Sequence, residues 1–117
     1  MKNLPKSEIY EQEFEYMSWG IAVRKVLETI KHNAPKNGNL LDLMCGPGYL
    51  LGELSKKRND LLLEGIDFSD EFIQHAQHKY PNISFHVADV VSWQTTKEYD
   101  VIVCTAGIHH LSYEKQE

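Results

Sequence analysis

Cysteine, long hydrophobic runs and basic clusters are all scarce in this chain. Its 117 residues include two cysteines, too few for the disulfide framework of a small secreted domain. The longest nearly apolar stretch, residues 101–108, is far shorter than the ~18 residues of a membrane-spanning helix. The N-terminus has neither the apolar segment of a signal peptide nor the basic character of a transit peptide. These features predict a cytoplasmic protein with no membrane contact.

Positive charge is also in short supply. The formal net charge is -5, whereas nucleic-acid surfaces rely on clustered Lys and Arg to neutralise phosphates. The one basic run, residues 56–58, closes a predicted helix, where cations interact favourably with the helix dipole. The charge therefore argues against a nucleic-acid partner and favours a small-molecule one.

Strand-like and helix-like segments alternate through most of the chain. The apolar patterns predict four strands, at residues 40–44, 61–67, 83–89 and 99–111. They predict two helices between these strands, at residues 48–57 and 69–80. Such alternation is typical of an α/β fold with a doubly wound, mainly parallel sheet and flanking helices. The right-handed crossover rule gives the strand order 3-2-1-4.

The two ends of the chain lead to further expectations. Residues 1–37 predict a helical cap, with Ser7 capping a first helix and Ser18 and Gly20 separating it from a second. Residues 38–117 form the core of what we expect to be one domain. The fold looks truncated after strand 4, which would leave an apolar edge strand. We therefore expect either a longer protein or a homodimer through that edge.

A glycine-containing loop follows the first predicted strand. In parallel α/β sheets, ligands bind at the carboxyl ends of strands where the strand order reverses, which here lies between strands 1 and 4. A dinucleotide fingerprint counted from Gly46 requires a third glycine at position 51, where Leu51 stands. No Gly-Lys-Ser/Thr sequence follows either, so neither phosphate-binding pattern is complete.

Two acidic residues narrow the choice of ligand. Asp67 lies 21 residues after Gly46, a spacing that suits a carboxylate accepting the hydroxyls of a ribose; the alternative is a cap for the helix at Ser69. Asp42 stands just ahead of the loop, where it would repel a pyrophosphate but attract an ammonium or sulfonium by roughly 1–4 kcal/mol. The pattern favours a ligand with adenosine at one end and positive charge at the other.

Four segments carry a resemblance to a known family. In order and spacing, "LLDLMCGPGYL", "GIDFSDEFIQHAQ", "ISFHVADV" and "YDVIVCTAGIHHL" resemble the class I S-adenosylmethionine-dependent methyltransferases. The resemblance covers the N-terminal, cofactor-binding part of that family, over residues 40–111. It implies a Rossmann-like fold, S-adenosylmethionine as cofactor, and methyl transfer to an acceptor, which the net charge suggests is a small molecule.

The resemblance also implies roles at the cofactor's methionine end. The residues expected to face it are Asp42, Met44, Cys45 and Gly46, with Gly48 allowing the next helix to approach closely. Backbone carbonyls are expected to line the same end from Cys104, Thr105 and Ala106. His109 would lie toward the acceptor and is the candidate catalytic base.

Further roles are implied at the adenosine end. Asp67 would accept the ribose hydroxyls and Phe68 would pack against adenine. Asp89 would accept a hydrogen bond from the adenine amino group, and Val90 would offer its backbone N–H to the ring. One departure stands out, because the family usually has a small residue at the position of the bulky Met44.

Other interpretations remain open. A non-catalytic cofactor-binding or self-assembling half-domain is one alternative, and an NAD(H)-binding oxidoreductase is another. Two cysteines and two histidines fall near the predicted crevice, at Cys45, Cys104, His109 and His110. Their spacing matches no compact zinc motif, so we predict no metal site.

Overall fold

The structure, a computed structural model, describes residues 19–104, with side chains described from residue 23. It contains three helices, α1 (Trp19–Asn33), α2 (Tyr49–Lys57) and α3 (Asp70–Lys79). It also contains four strands, β1 (Asn39–Leu43), β2 (Leu62–Asp67), β3 (Ser84–Val87) and β4 (Val101–Val103). The predicted cap helix at residues 7–17 and the extension of the fourth strand to residue 111 lie outside the described residues.

The four strands form one parallel sheet in the order β3-β2-β1-β4, which confirms the predicted fold class and strand order. Because β1 and β2 are central, they are the most buried strands of the sheet, as strands covered on both faces are. β3 is an edge strand in which Phe85 alone is buried. Val87, two residues along on the same face, is 50% exposed.

The helices begin and end for identifiable reasons. α1 buries Val23, Leu27 and Ile30 at helical spacing. Gly20 was expected to separate two helices, but it lies in the first turn of this helix. Backbone N–H groups in the first turn of a helix make no hydrogen bond within the helix. The Ser69 hydroxyl accepts a 3.2 Å hydrogen bond from the Phe72 N–H and caps α3, as predicted.

All three helices contribute to one hydrophobic core on one face of the sheet. Residues aligned in neighbouring parallel strands share a face, and Leu40 and its partner Leu63 both belong to this core. Leu41 and its partners lie on the opposite face, where Ile102 of β4 is 58% exposed. The connection from β3 to β4 contains a turn and then irregular backbone rather than a helix.

The basic run at residues 56–58 does more than end α2. The Arg58 guanidinium donates to the backbone oxygens of Lys31 and Ala34, both at 3.0 Å, and forms two 2.8 Å bonds with Asp60. This cluster joins the ends of α1 and α2 at the edge of the sheet opposite the glycine loop.

None of the helices within residues 19–104 is long and apolar enough to cross a membrane.

Candidate functional site

The parallel sheet brings most of the predicted site residues to one edge. The glycine loop follows β1, Asp67 ends β2 with Phe68 next, Asp89 and Val90 come shortly after β3, and Cys104 follows β4. Because all four strands run the same way, these positions share the carboxyl edge, where ligands bind in such sheets. Three predicted residues, Thr105, Ala106 and His109, lie outside the described part of the chain.

The loop after β1 turns through three left-handed residues. The φ angles of Met44, Gly46 and Gly48 are +62°, +59° and +88°. Gly48 also needs its lack of a side chain, because an added Cβ would lie 2.9 Å from Cζ of Phe85. Gly48 is therefore packed against β3, and glycine is required there both for its φ angle and for this contact. Its role in the approach of the next helix stays a prediction.

The backbone N–H groups of this loop are already used inside the protein. Cys45 donates to the Ile66 carbonyl at 2.8 Å, Gly46 donates to the Asp67 carboxylate at 2.8 Å, and Gly48 donates to the Cys45 carbonyl at 3.2 Å. Pro47 has no N–H to give. Phosphate-binding loops work by pointing several free N–H groups at the anion, and these three N–H groups are bonded within the protein instead.

Asp67 joins the loop to the start of α3. One carboxylate oxygen accepts the Gly46 N–H at 2.8 Å and the other accepts the Ser69 N–H at 2.9 Å. The two interpretations of Asp67 are therefore not exclusive, since the residue orders the turn at Ser69 and also lies at the ligand edge. A carboxylate has about four acceptor positions, so two bonds leave capacity for ribose hydroxyls. The residue is 9% exposed.

Asp42 is completely buried. It lies within β1, aligned with Gly65 of β2 and Val103 of β4. This burial means that its carboxylate acts on the carboxyl edge through space rather than through an exposed surface. Direct contact between Asp42 and a cofactor stays a prediction.

The Cys45 thiol is buried close to two carboxylates at this edge. Burial raises the pKa of Cys45 most, and the nearby carboxylates of Asp42 and Asp67 raise it further. Its sulfur packs closely over β2, where a Cβ added to Gly65 would lie 2.8 Å from it. A thiol held neutral in this way is a poor nucleophile. The two carboxylates near it would also repel a bound phosphate.

The adenosine side of the edge is more open. Phe68 is 75% exposed, which leaves an aromatic face beside Asp67 available for a planar ring. Asp89 is exposed and orders the turn that follows it, because its carboxylate accepts the Val91 N–H at 2.9 Å and its carbonyl accepts the Trp93 N–H at 2.8 Å. Their contacts with a cofactor stay predictions.

Two features were not predicted from the sequence. Glu64 of β2 is nearly buried and accepts a 2.7 Å hydrogen bond from the Tyr99 hydroxyl, with His86 at 3.3 Å and Lys97 at 3.5 Å. The signal was a lone acid inside an apolar strand, which requires partners when buried. The other feature is a groove of about 290 Å³ between α1 and α2, lined in part by Tyr49 and Leu50, which directly follow the glycine loop. Within residues 19–104, no three acidic, cysteine or histidine side chains cluster as metal ligands.

The sheet order, the turn after β1 and the acid ending β2 define a Rossmann-like nucleotide-binding domain of the methyltransferase type. A family model described as "Methyltransferase domain" matches residues 40–117. The chain therefore belongs to the methyltransferase-domain family. This membership supports the resemblance seen in the four sequence segments.

Individual proteins show the same similarity. The chain is 32% identical over 71 residues to trans-aconitate 2-methyltransferase of Yersinia pestis, covering 61% of this chain and 28% of that one. It superposes on a TehB-like SAM-dependent methyltransferase from Corynebacterium glutamicum with a TM-score of 0.67, at 24% identity, covering 90% of this chain and 57% of that one. It also superposes on SAM-bound CalS10, an amino pentose methyltransferase from Micromonospora echinaspora, with a TM-score of 0.66, at 23% identity, covering 82% and 41%.

The shared region is short compared with these relatives. The chain spans about a third of the length of the curated relatives that it matches. The matched region contains the glycine loop and the ends of β2, β3 and β4, which hold the described parts of the candidate site.

Proposed function

We propose that this chain binds S-adenosylmethionine at the carboxyl edge of its sheet and takes part in methyl transfer to a small-molecule acceptor. The observation that carries the proposal is the glycine loop, where the N–H groups of Cys45, Gly46 and Gly48 are used internally and the carboxylates of Asp42 and Asp67 lie nearby. Such a loop suits a ligand whose far end is cationic rather than phosphorylated. Family membership supports methyl transfer over hydride transfer to or from a nicotinamide cofactor.

Different residues of the chain would contact different parts of the cofactor. Asp67 would accept the ribose hydroxyls while keeping its bonds to Gly46 and Ser69, and Phe68 would stack on adenine. The negative field from Asp42 and Asp67 would favour the ammonium and sulfonium groups, since opposite charges attract more strongly away from bulk water. The cofactor would supply an activated methyl group on a sulfonium.

The main contribution of the protein to methyl transfer would be to align the acceptor with the methyl group of the cofactor. The acceptor's lone pair would form a bond to the methyl carbon as the carbon–sulfur bond breaks, leaving a neutral thioether, and the acceptor's proton would pass to a base or to water. Proximity and orientation supply much of the rate in such reactions. His109 remains our candidate for the base where the acceptor must lose a proton.

The acceptor class is inferred from charge and from relatives. The chain has a net charge of -5, which disfavours nucleic acid. The relatives described above include a trans-aconitate and an amino pentose methyltransferase. We therefore propose a small metabolite as acceptor. The cytoplasmic location expected from the sequence stays a prediction.

A second candidate function is supported by β4. This strand is an edge of the described sheet, and its Ile102 side chain is 58% exposed. An apolar, uncharged edge strand is prone to pair with another chain. The alternative is a half-domain that assembles through β4 and holds cofactor without catalysing transfer. Light scattering tests it, since a dimer that an Ile102→Lys substitution converts to a monomer would support assembly.

The main experiment is a calorimetric titration of the chain with S-adenosylmethionine and, separately, with NADH. We expect saturable heat with the first ligand and none with the second. Asp67→Asn should weaken S-adenosylmethionine binding by tenfold or more, because a charged acceptor of two hydroxyls is lost, a loss of about 1.5–3 kcal/mol. Glu28→Asn removes a similar charge from exposed α1 and should leave the affinity unchanged. Binding of NADH alone would overturn the proposal.

A further inference from the structure

Met44 occupies a backbone position that disfavours it. Its φ angle of +62° lies in the left-handed region, where any residue other than glycine, asparagine or aspartate is strained. The two other left-handed residues of the same loop, at positions 46 and 48, are glycines. Strain of this kind is retained where the surroundings hold the backbone in place, and it concentrates at functional sites.

The loop has little freedom to move away from this conformation. Hydrogen bonds fix the backbone of the two residues that follow Met44. The Cys45 N–H donates to the Ile66 carbonyl and the Gly46 N–H donates to the Asp67 carboxylate, each at 2.8 Å. The half-buried Met44 side chain follows directly after β1, at the edge where the order of strands reverses. Because the neighbouring backbone is held, the loop cannot readily shift to make room for the Met44 side chain.

We infer that Met44 is a specificity-determining residue that restricts the methionine end of the cofactor site. This inference rests on the proposed function. The restriction comes from the volume of the side chain, so a smaller residue at position 44 enlarges the space open to the amino-acid part of the cofactor. The adenosine part, which the same reasoning places toward Asp67 and Phe68, is unaffected.

The test compares two ligands, S-adenosylmethionine and adenosine, because only the first has a methionine portion. Met44→Gly removes both the side chain and the strain, whereas Met44→Ala removes most of the bulk and keeps a strained Cβ. Both variants should bind S-adenosylmethionine more tightly by about tenfold or more, since even one methylene group in a binding pocket changes affinity by roughly that factor. Both should bind adenosine as the unmodified chain does.

The structure offers a matched control. Asn37 has the same backbone conformation, with φ +60°, but lies before β1 at the opposite edge of the sheet. Asn37→Gly should leave the affinity for both ligands unchanged, and Met44→Leu, which keeps the bulk, should bind S-adenosylmethionine like the unmodified chain.

The outcomes separate this inference from the proposed function. If the unmodified chain binds S-adenosylmethionine and neither small variant binds it more tightly, the inference fails alone. A gain in Met44→Gly that is absent from Met44→Ala would also overturn it, because relief of strain would then be the cause. If no variant binds S-adenosylmethionine, both the inference and the proposed function fail.

Discussion

Removing the Asp67 carboxylate should loosen the glycine loop and destabilise the whole domain. The carboxylate accepts two backbone N–H groups, from Gly46 and Ser69, and is 9% exposed. Hydrogen bonds to charged groups contribute about 1.5–3 kcal/mol each. Water can replace the carboxylate more readily at the part-buried Ser69 N–H than at the buried Gly46 N–H. We therefore expect Asp67→Ala to lower the free energy of unfolding by about 3 kcal/mol.

Urea denaturation measures the loss of stability, and amide hydrogen exchange locates it. In Asp67→Ala the Gly46 amide should exchange faster relative to global unfolding. The matched control is Ser69→Ala, which removes the helix cap on Phe72 and should cost about 1 kcal/mol without exposing the Gly46 amide. A variant of Asp67 that is as stable as the unmodified chain, or one whose Gly46 amide stays protected, would refute the reasoning.

Three further predictions concern packing, acid stability and thiol reactivity. Gly52→Ala should destabilise the domain by about 1–3 kcal/mol in urea denaturation, because the added Cβ would lie 2.2 Å from the Tyr80 ring; a neutral result would contradict this packing. The Arg58 guanidinium holds the pKa of Asp60 well below its usual range, so this pair stabilises the fold above about pH 4 and the stability is lost on acidification. Asp60→Asn should flatten the dependence of the urea midpoint between pH 2 and 6, and an unchanged dependence would contradict the pairing. Cys45, with its raised pKa, should resist iodoacetamide at pH 8 in the native chain and react only after unfolding, as mass spectrometry of the labelled peptides would show.

The architecture was predictable because local patterns and general rules agree on it. Continuous apolar runs indicate central parallel strands, Ser69 is a strong helix cap, and the crossover rule leaves one strand order. A boundary error arose at Gly20, which was expected to separate two helices but lies in the first turn of α1. There the outcome depends on which neighbour covers the residue, and a single segment of sequence does not contain that information.

The details of the site were harder to predict for a physical reason. Asp42 and Asp67 could be recognised as acids at strand ends, but their burial and partners depend on contacts between elements far apart in the chain. The bond from Gly46 to Asp67 spans 21 residues, and the one from Tyr99 to Glu64 spans 35. The positive φ of Met44 could not be predicted from the sequence for another reason, since methionine gives no local signal for a left-handed conformation.

The most direct test of the central claim is an NMR titration of the 15N-labelled chain with S-adenosylmethionine. The account predicts saturable shifts of the amide signals at Gly46, Phe68 and Val90, which lie after β1, β2 and β3. NADH at the same concentrations should leave these signals in place. Shifts confined to the groove between α1 and α2, or a shift of the Gly46 amide by NADH alone, would contradict it.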